Sequence, residues 1–348
     1  MFQRPDRSAG RHPAARRADG AVTVVAEAAQ GYEGDVTLAH LLVRAAAEGR
    51  ADVVKLQLVY ADELTLPAHQ HHALFKSLEM SDEEWQDVAR EARGVGLGLA
   101  FDVFGPRSLD LALACGADAV KIHASDVFNH RLLADAFARA PHVYLSTGGL
   151  VVDEVEALIA RHAPDPRRLT VLLGFQAEPT ATADNHLARL GALHRRLPEL
   201  ALGFMDHADG ASDEAEWLAV LALPYGVSLV EKHLTLDRAL QLEDFVSAVD
   251  PGRFARFVER VRSAEAAVGR DDLSMTAAER GYRRKALKVV VACRDLKAGA
   301  LLARDDVRLI RTRLAEGREP VVDVDRAADR RLARGVKAGD PVYEDDLG

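Results

Sequence analysis

The chain has 348 residues, of which 48% are hydrophobic and 28% are charged, a composition typical of soluble globular proteins. Its length exceeds one ordinary domain and suits a barrel of about 250 residues followed by a small module. The formal net charge of −9 argues against nucleic acid or an anionic membrane surface as the main partner. The sequence also has no apolar run approaching the roughly 18 residues that a membrane helix needs.

The first twenty residues are rich in Arg, Pro, Gly and Ala and show no apolar periodicity, so we expect a disordered tail at 1–20. They lack the hydrophobic stretch of a secretory signal, and an arginine-rich targeting segment is the alternative. Cys115 and Cys293 stand far apart, without a spacing that predicts pairing. Two buried thiols are typical of a reducing compartment, and we therefore expect a cytoplasmic protein.

From residue 21 onward, eight short runs rich in β-branched residues alternate with helical segments. The runs cover residues 21–29, 51–59, 96–104, 117–124, 142–148, 169–176, 200–208 and 227–235. The segments with helical periodicity include 36–48, 82–94, 108–115, 152–163, 183–197 and 213–222. This pattern predicts parallel strands buried on both faces, and eight units predict an α/β fold with a (β/α)₈ TIM barrel over 21–268. An open doubly wound sheet is the rival, but no G-x-G-x-x-G turn follows the first run.

Polar side chains mark the end of every run. They are Glu27, Lys55, Gln57, Asp102, Lys121, Ser146, Thr147, Gln176, Asp206, His207, Glu231 and His233. The C-terminal ends of barrel strands build the active site in this architecture, above a packed apolar core. Because side chains alternate along a strand, Lys55 shares a face with Gln57, and Glu231 shares a face with His233. Contact with water explains any one of these residues but is a poor explanation for all eight strand ends.

A charged segment with flanking glycine at 269–284 predicts a linker after the barrel. Residues 285–348 then contain two strand-like runs, at 287–296 and 307–313, with turns at 298–299 and 338–340. They predict a small β-rich module that is marginally stable alone.

The motifs at these strand ends resemble those of the N-acetylneuraminate (sialic acid) synthase family, whose barrel is followed by an SAF (antifreeze-like) domain. The similar segments, in the family's order, are VVAEAAQGYEGD, ADVVKLQ, ADAVKI, LSTGG, GFMDHADG, VEKHLTLDR and, in the C-terminal module, KAGALLARDDVRLIRTR and RRLARGVKAGDPVYEDDL. The resemblance covers roughly residues 21–347 and makes 285–348 the counterpart of the SAF domain.

The resemblance implies a reaction. Family members condense phosphoenolpyruvate (PEP) with the open-chain aldehyde of an N-acylated hexose, giving a nonulosonic acid and phosphate, with the help of Mn²⁺ or Mg²⁺. It implies that His207 and His233 ligate the metal, an arrangement that suits an open catalytic site. Without the resemblance, His207 would be interpreted as a polar group satisfied beside Asp206.

The resemblance also implies roles for other strand-end residues. The residues implied to contact substrate are Lys55, Gln57, Lys121, Asp126, Ser146, Gln176 and Asp206. Glu27 and Glu231 fall on carboxylates that handle protons or position the sugar, and Lys121 is a third candidate catalytic residue. A lysine that merely reaches solvent at the rim of the barrel is the alternative for Lys121.

Arg311 matches an SAF-domain arginine that reaches into the barrel of a second subunit and contacts the N-acyl group of the sugar there, so the resemblance also implies that Arg311 binds substrate. The resemblance therefore implies a domain-swapped homodimer. The alternative is an exposed arginine on an edge strand that also holds Arg308 and Arg313.

The sequence departs from the family's pattern around the sugar pocket. The departures are Gly31, Tyr32, Asp102, Ala124, Glu178 and Met205. They predict an acceptor that need not be N-acetylmannosamine and is instead a related acylamino sugar. Two other hypotheses stay open: an aldol-type barrel enzyme, including a lyase that uses Lys121 as a Schiff base, and a non-catalytic sugar-binding descendant.

Overall fold

The computed structural model describes residues 20–269 and 272–348. Apart from Gly20, the tail predicted at 1–20 lies outside this range. The chain divides into two compact units, Met1–Gly269 and Arg270–Gly348.

The first unit is a closed barrel of eight parallel strands, which confirms the predicted fold. The strands, paired in chain order with β8 closing on β1, are β1 (Thr23–Ala29), β2 (Val53–Gln57), β3 (Gly98–Val103), β4 (Ala119–Ile122), β5 (Val143–Ser146), β6 (Leu169–Leu173), β7 (Ala201–Asp206) and β8 (Leu229–His233). The register sets Glu27 opposite Lys55, and Asp102 opposite both Gln57 and Lys121. It therefore brings polar residues of four strands to the same end of the barrel.

Helices connect the strands. They are α1 (Val36–Glu48), α2 (Ala61–Leu64), α3 (His72–Ser77), α4 (Asp82–Gly94), α5 (Pro106–Ala114), α6 (His130–Arg139), α7 (Val152–His162), α8 (Ala188–Arg196) and α9 (Pro251–Val268). Local chemistry sets their starts: Asp35 accepts a hydrogen bond from the Thr37 amide at 2.6 Å, and Ser81 and Glu84 form a capping box at α4. The segments at 36–48 and 82–94 are helices with the predicted bounds.

The segment at 213–222 is not the regular helix that its periodicity predicts. Two 3₁₀ segments, Glu214–Glu216 and Leu218–Tyr225, occupy this part of the chain, and Pro224 lies inside the second. Proline has no N–H to donate and its ring clashes with the preceding turn, which disfavours a continuous α-helix.

An apolar layer fills the barrel interior. One side chain from each strand contributes to it: Val25, Val53, Ala100, Ala119, Tyr144, Leu172, Met205 and Leu229. A larger apolar cluster, which includes Leu42, Trp85, Phe101 and Phe254, packs the strands against the helices. The packed interior closes the barrel, so a ligand can enter only at an end.

The second unit has its own apolar core, which includes Val290, Leu302, Val321 and Val342. Its elements are α10 (Ala277–Ala286), the antiparallel pair β9 (Val289–Ala292) and β10 (Val307–Ile310), and α11 (Val324–Ala327). The region predicted as a linker at 269–284 thus holds most of a helix, which starts at a capping box of Thr276 and Glu279. Cys293 in this unit is exposed rather than buried as expected, whereas Cys115 is buried.

Across the two described ranges, no helix is long and apolar enough to span a membrane.

Candidate active site

A cavity of about 1150 Å³ opens at the C-terminal end of the barrel. The predicted residues that line it are Glu27, Lys55, Gln57, Lys121, Ser146, Gln176, His207, Glu231 and His233. The strand ends therefore bring these side chains to one cavity.

Five charged residues at the base of this cavity form the inner cluster: Glu27, Lys55, Asp102, Lys121 and Glu231. Lys55 is completely buried, and its ammonium group contacts the Glu27 carboxylate. The Lys55 Nζ atom also lies 2.8 Å from Asp102 Oδ2 and 3.7 Å from Glu231 Oε2. The Lys121 Nζ atom lies 2.6 Å from Glu231 Oε1. The cluster is thus a continuous ionic network at the centre of the barrel.

The pKa values of Glu231, Lys121 and Lys55 follow from burial and from these ion pairs. Burial alone would raise the pKa of Glu231, but the ammonium groups of Lys121 and Lys55 lower it to about 2. Burial opposes the charge of Lys121, but Asp102 and Glu231 raise its pKa above the ordinary value. Burial lowers the pKa of Lys55, against the opposing effect of the Asp102 and Glu231 carboxylates.

His207 and His233 lie side by side above β7 and β8, with their ring centroids 5.1 Å apart. Burial is the main reason that the pKa of His207 is well below its ordinary value and that the pKa of His233 falls to about 3. Both imidazoles are therefore neutral near pH 7, as a metal ligand must be.

The two histidines fit an open metal site. The buried His207 Nδ1 has no hydrogen-bond partner among the residues that the structure describes. Within residues 20–269 and 272–348 no group of three or more His, Cys, Asp or Glu side chains is arranged to hold a metal ion. A metal here would take two imidazoles from the protein and leave its other positions to water and substrate, as a catalytic metal requires.

A glycine pair extends the cavity beyond β5. Gly148 and Gly149 line the cavity together with Ser146. A Cβ atom on Gly148 would lie 2.7 Å from the carbonyl oxygen of Gly174, so only glycine fits there. The small residues leave backbone N–H groups near the cavity, where an anion can be bound.

Two glutamines line opposite parts of the cavity. The Gln57 Oε1 atom accepts a hydrogen bond from Gln30 Nε2 at 2.8 Å, and Gln176 Nε2 donates to Asp244 Oδ1 at 2.8 Å. These bonds fix how each amide faces the cavity.

Two predicted substrate residues do not line the cavity. The Asp206 carboxylate is fully buried behind β7, where it accepts a hydrogen bond from the Ala208 amide at 2.9 Å and lies 3.4 Å from Lys232 Nζ. Because successive side chains of a strand point to opposite faces, His207 faces the cavity and Asp206 faces away from it. Asp126 lies in the short 3₁₀ segment after β4, where its carboxylate accepts hydrogen bonds from Ser125 and Asn129.

Arg311 belongs to the second unit. Its side chain is exposed, and Nε donates to the Ala286 carbonyl oxygen at 2.9 Å. Its predicted role in a partner's barrel remains a prediction.

The departures from the family's pattern separate into two groups. Asp102, Ala124, Glu178 and Met205 line the cavity. Tyr32 is instead completely buried: its hydroxyl donates to the Gln57 carbonyl oxygen at 3.0 Å, and its ring meets Trp85 edge-on at 5.0 Å. Tyr32 thus supports the strand that carries Lys55 and Gln57.

Sequence reasoning missed part of the cavity wall. Arg189 and Arg195 on α8 and Val155 on α7 also line it. These residues lie within helices, where the strand-end pattern gives no signal.

The family model described as the NeuB family matches residues 42–272. The chain belongs to the NeuB family. It is 27% identical over 307 residues to the N,N'-diacetyllegionaminic acid synthase of Legionella pneumophila, covering 83% of this chain and 85% of the relative. It is 22% identical over 338 residues to the N-acetylneuraminate-9-phosphate synthase of Mus musculus, covering 93% of this chain and 92% of the relative.

A solved structure of a putative spore coat polysaccharide biosynthesis protein E from Chromobacterium violaceum has the same fold. The TM-score is 0.75 at 21% identity, covering 94% of this chain and 99% of that protein.

Proposed function

We propose that this chain condenses PEP with the open-chain aldehyde of an acylamino sugar, giving a nonulosonic acid and inorganic phosphate. The PEP methylene carbon forms a C–C bond to the aldehyde carbon, whose oxygen takes up a proton. Water adds to the former enol carbon, and the bond to phosphate breaks. A 2-keto acid and phosphate result, so no oxidant or reductant is needed.

The observation that carries the proposal is the arrangement at the barrel mouth. Two buried lysines, each within 2.8 Å of a carboxylate, lie in the same cavity as a pair of neutral imidazoles. The names of the relatives support a reaction of this class.

The lysines and the loop after β5 are suited to hold PEP. Lys55 and Lys121 supply cationic groups for its carboxylate and phosphate, and Ser146 adds a hydroxyl donor from β5. Their place on strands of a closed barrel fixes their positions before the substrate arrives, which is how electrostatic stabilisation is gained without reorganisation.

His207 and His233 would hold Mn²⁺ or Mg²⁺. The ion, when bound, polarises the aldehyde oxygen and so makes the carbonyl carbon more electrophilic. The imidazoles need only remain neutral, and their burial ensures this.

Glu27 and Glu231 keep the lysines in place. The Glu27 Oε1 atom accepts a hydrogen bond from the Ala29 amide at 2.7 Å while its other oxygen contacts Lys55. Glu231 holds Lys121 at 2.6 Å. The low pKa of Glu231 makes it a weak base, so we assign it the positioning of Lys121 and of the sugar. Glu27, which also lines the cavity, is the candidate acceptor for the proton that the attacking water loses.

The test follows phosphate release from PEP with Mn²⁺ and a panel of 2-acetamido and 2,4-diacetamido sugars, with and without a 6-phosphate. We expect release with at least one acylamino sugar and none with the sugar omitted. The matched variant His207→Ala/His233→Ala should lose the activity. If it keeps full activity, the site is not catalytic, and the non-catalytic descendant becomes the better explanation.

The Schiff-base alternative needs an uncharged lysine, and the raised pKa of Lys121 disfavours it. Borohydride trapping with pyruvate separates the two mechanisms. Labelling of Lys121 would replace the metal-assisted mechanism with an imine.

We also propose the homodimer in which Arg311 completes the site of a partner subunit. The exposure of Arg311 is compatible with this role. Arg311→Ala and His207→Ala, each expected to be impaired alone, should recover activity when refolded together, because one composite site is then intact. Failure to recover any activity in mixed dimers would contradict the swap.

A further inference from the structure

The inner cluster holds more carboxyl groups than amino groups. Three carboxylates, those of Glu27, Asp102 and Glu231, surround the two ammonium groups of Lys55 and Lys121. An anion that enters the cavity therefore meets lysines that are already paired.

Lys55 is the more heavily paired of the two lysines. It is completely buried, contacts Glu27, and lies 2.8 Å from Asp102 and 3.7 Å from Glu231. An anionic ligand can gain the full interaction with Lys55 only if one of these carboxylates withdraws or shares the ammonium group.

Asp102 is the carboxylate with the weakest anchoring. Glu27 is also bound by the Ala29 amide, and Glu231 by Lys121. Each of the three carboxylates has one buried oxygen without a hydrogen-bond partner among the described residues, but those of Glu27 and Glu231 face the Lys55 ammonium group, whereas Asp102 Oδ1 does not. Among the described residues, the Asp102 carboxylate accepts a hydrogen bond from Lys55 alone, at 2.8 Å.

We propose that Asp102 is a specificity-determining residue that competes with the substrate for Lys55, and so weakens the binding of PEP. The inference rests on the proposed function. A ligand with two anionic groups can engage Lys121 as well and outcompete Asp102, whereas a ligand with one such group binds poorly. Asp102 thereby favours PEP over simple carboxylates such as pyruvate.

Isothermal titration calorimetry of the full chain with PEP, without metal and with Mn²⁺, tests the competition. Asp102→Asn keeps the shape and removes the charge, so we expect the Kd for PEP to fall about tenfold. We expect the Kd for pyruvate to fall at least as much, since pyruvate has no second group with which to displace Asp102. Asp102→Thr, which also removes the carboxylate, should likewise lower the Kd values for PEP and pyruvate.

Asp62→Asn is the matched control. It makes the same chemical change in α2, just after β2, but Asp62 does not line the cavity and its side chain is 78% exposed, so the Kd for PEP should stay within about twofold. Thermal unfolding of each variant shows that it is folded. We expect Asp102→Asn to melt no lower than the wild type, because the charge it removes is in excess.

An unchanged or weaker affinity for both PEP and pyruvate in folded Asp102→Asn and Asp102→Thr would overturn the inference. A different result would refute the proposed function. If the wild type binds no PEP and releases no phosphate with any sugar, that function is wrong, while the pyruvate titration still decides the competition.

Discussion

Two groups of buried charges lie on opposite sides of the barrel wall. The inner cluster faces the cavity, and the outer pair of Asp206 and Lys232 lies behind β7 and β8. The outer pair is matched one to one: Asp206 accepts from the Ala208 amide, and Lys232 lies 3.4 Å from the Ala208 carbonyl oxygen. The inner cluster has three carboxylates for two ammonium groups and borders open space.

The comparison separates structural from functional charge. A buried ion pair in which each charge has one counter-charge and a backbone contact needs no ligand, although Asp206 Oδ2 accepts no hydrogen bond from the described residues. A cluster with surplus charge and unpartnered oxygens facing a cavity retains capacity for a ligand or a proton. We therefore expect changes in the inner cluster to act on turnover and changes in the outer pair to act on stability.

The largest effect is expected at Lys121. Lys121→Met removes a cation that faces the cavity, so kcat/KM for PEP should fall about 10³-fold. Lys121→Arg keeps the charge and should recover part of the loss, and thermal unfolding reports whether each variant is folded. If folded Lys121→Met had nearly wild-type kcat/KM, the inner cluster would not act on turnover, contrary to the comparison above.

Next in size is the outer pair. Lys232→Met leaves the Asp206 carboxylate buried without its cation, at a cost of about 3 kcal/mol in the free energy of unfolding. The double variant Asp206→Asn/Lys232→Met should recover part of that loss, because no unpaired charge remains. Denaturant unfolding measures both. Wild-type stability in the single variant would mean that the outer pair contributes nothing structural.

Removal of metal should affect turnover alone. Treatment with a chelator is expected to lower phosphate release by about 10²-fold or more, and added Mn²⁺ or Mg²⁺ should restore it. The His207→Ala/His233→Ala variant should show no such restoration. Full activity in the thoroughly chelated wild type would argue against a metal at these histidines.

The smallest effect concerns Glu216, an ion-paired carboxylate at the edge of the barrel. Burial acts to raise its pKa, but hydrogen bonds from Arg256 and Arg253 hold the pKa below the ordinary 4.5. Because the folded-state pKa is lowered, the stabilisation is present above about pH 4.5 and is lost as the pH falls through the folded-state value. Glu216→Gln should therefore cost about 1 kcal/mol at pH 7 and progressively less in acid.

Denaturant unfolding of Glu216→Gln and the wild type between pH 7 and pH 3 measures this difference. If the difference in free energy of unfolding between the wild type and Glu216→Gln grew as the pH fell, the proposed ion pairs of Glu216 would be contradicted.

The barrel was predictable because each strand and helix carries its own periodicity, and eight repeats predict closure. The face of β8 was predictable in the same way, since Glu231 and His233 are two residues apart. The same alternation implies that His207 and Asp206 face opposite sides, so only one of them can line the cavity. The resemblance implied a role in the site for both residues, because matching a motif does not take the alternation of side chains along a strand into account.

Other features depend on contacts that no local pattern contains. Asp126 follows β4 in a loop, where the direction of a side chain has no period. The grouping of Lys55 with three carboxylates depends on strand register and barrel closure, which place residues 27, 102 and 231 around one ammonium group. The charged composition of helix α10 led to the prediction of a linker there, although Thr276 and Glu279 form a capping box at its start.

The most direct measurement is the stoichiometry of the reaction, followed by ³¹P NMR for phosphate and by mass spectrometry for the new keto acid. With PEP, Mn²⁺ and an accepted acylamino sugar, one phosphate should appear for each molecule of nonulosonic acid, and neither should form when the sugar is omitted. Phosphate release that does not depend on a sugar would contradict the proposed condensation at the inner cluster. The proposed condensation would also be contradicted if folded protein with bound metal formed no product with any of the sugars.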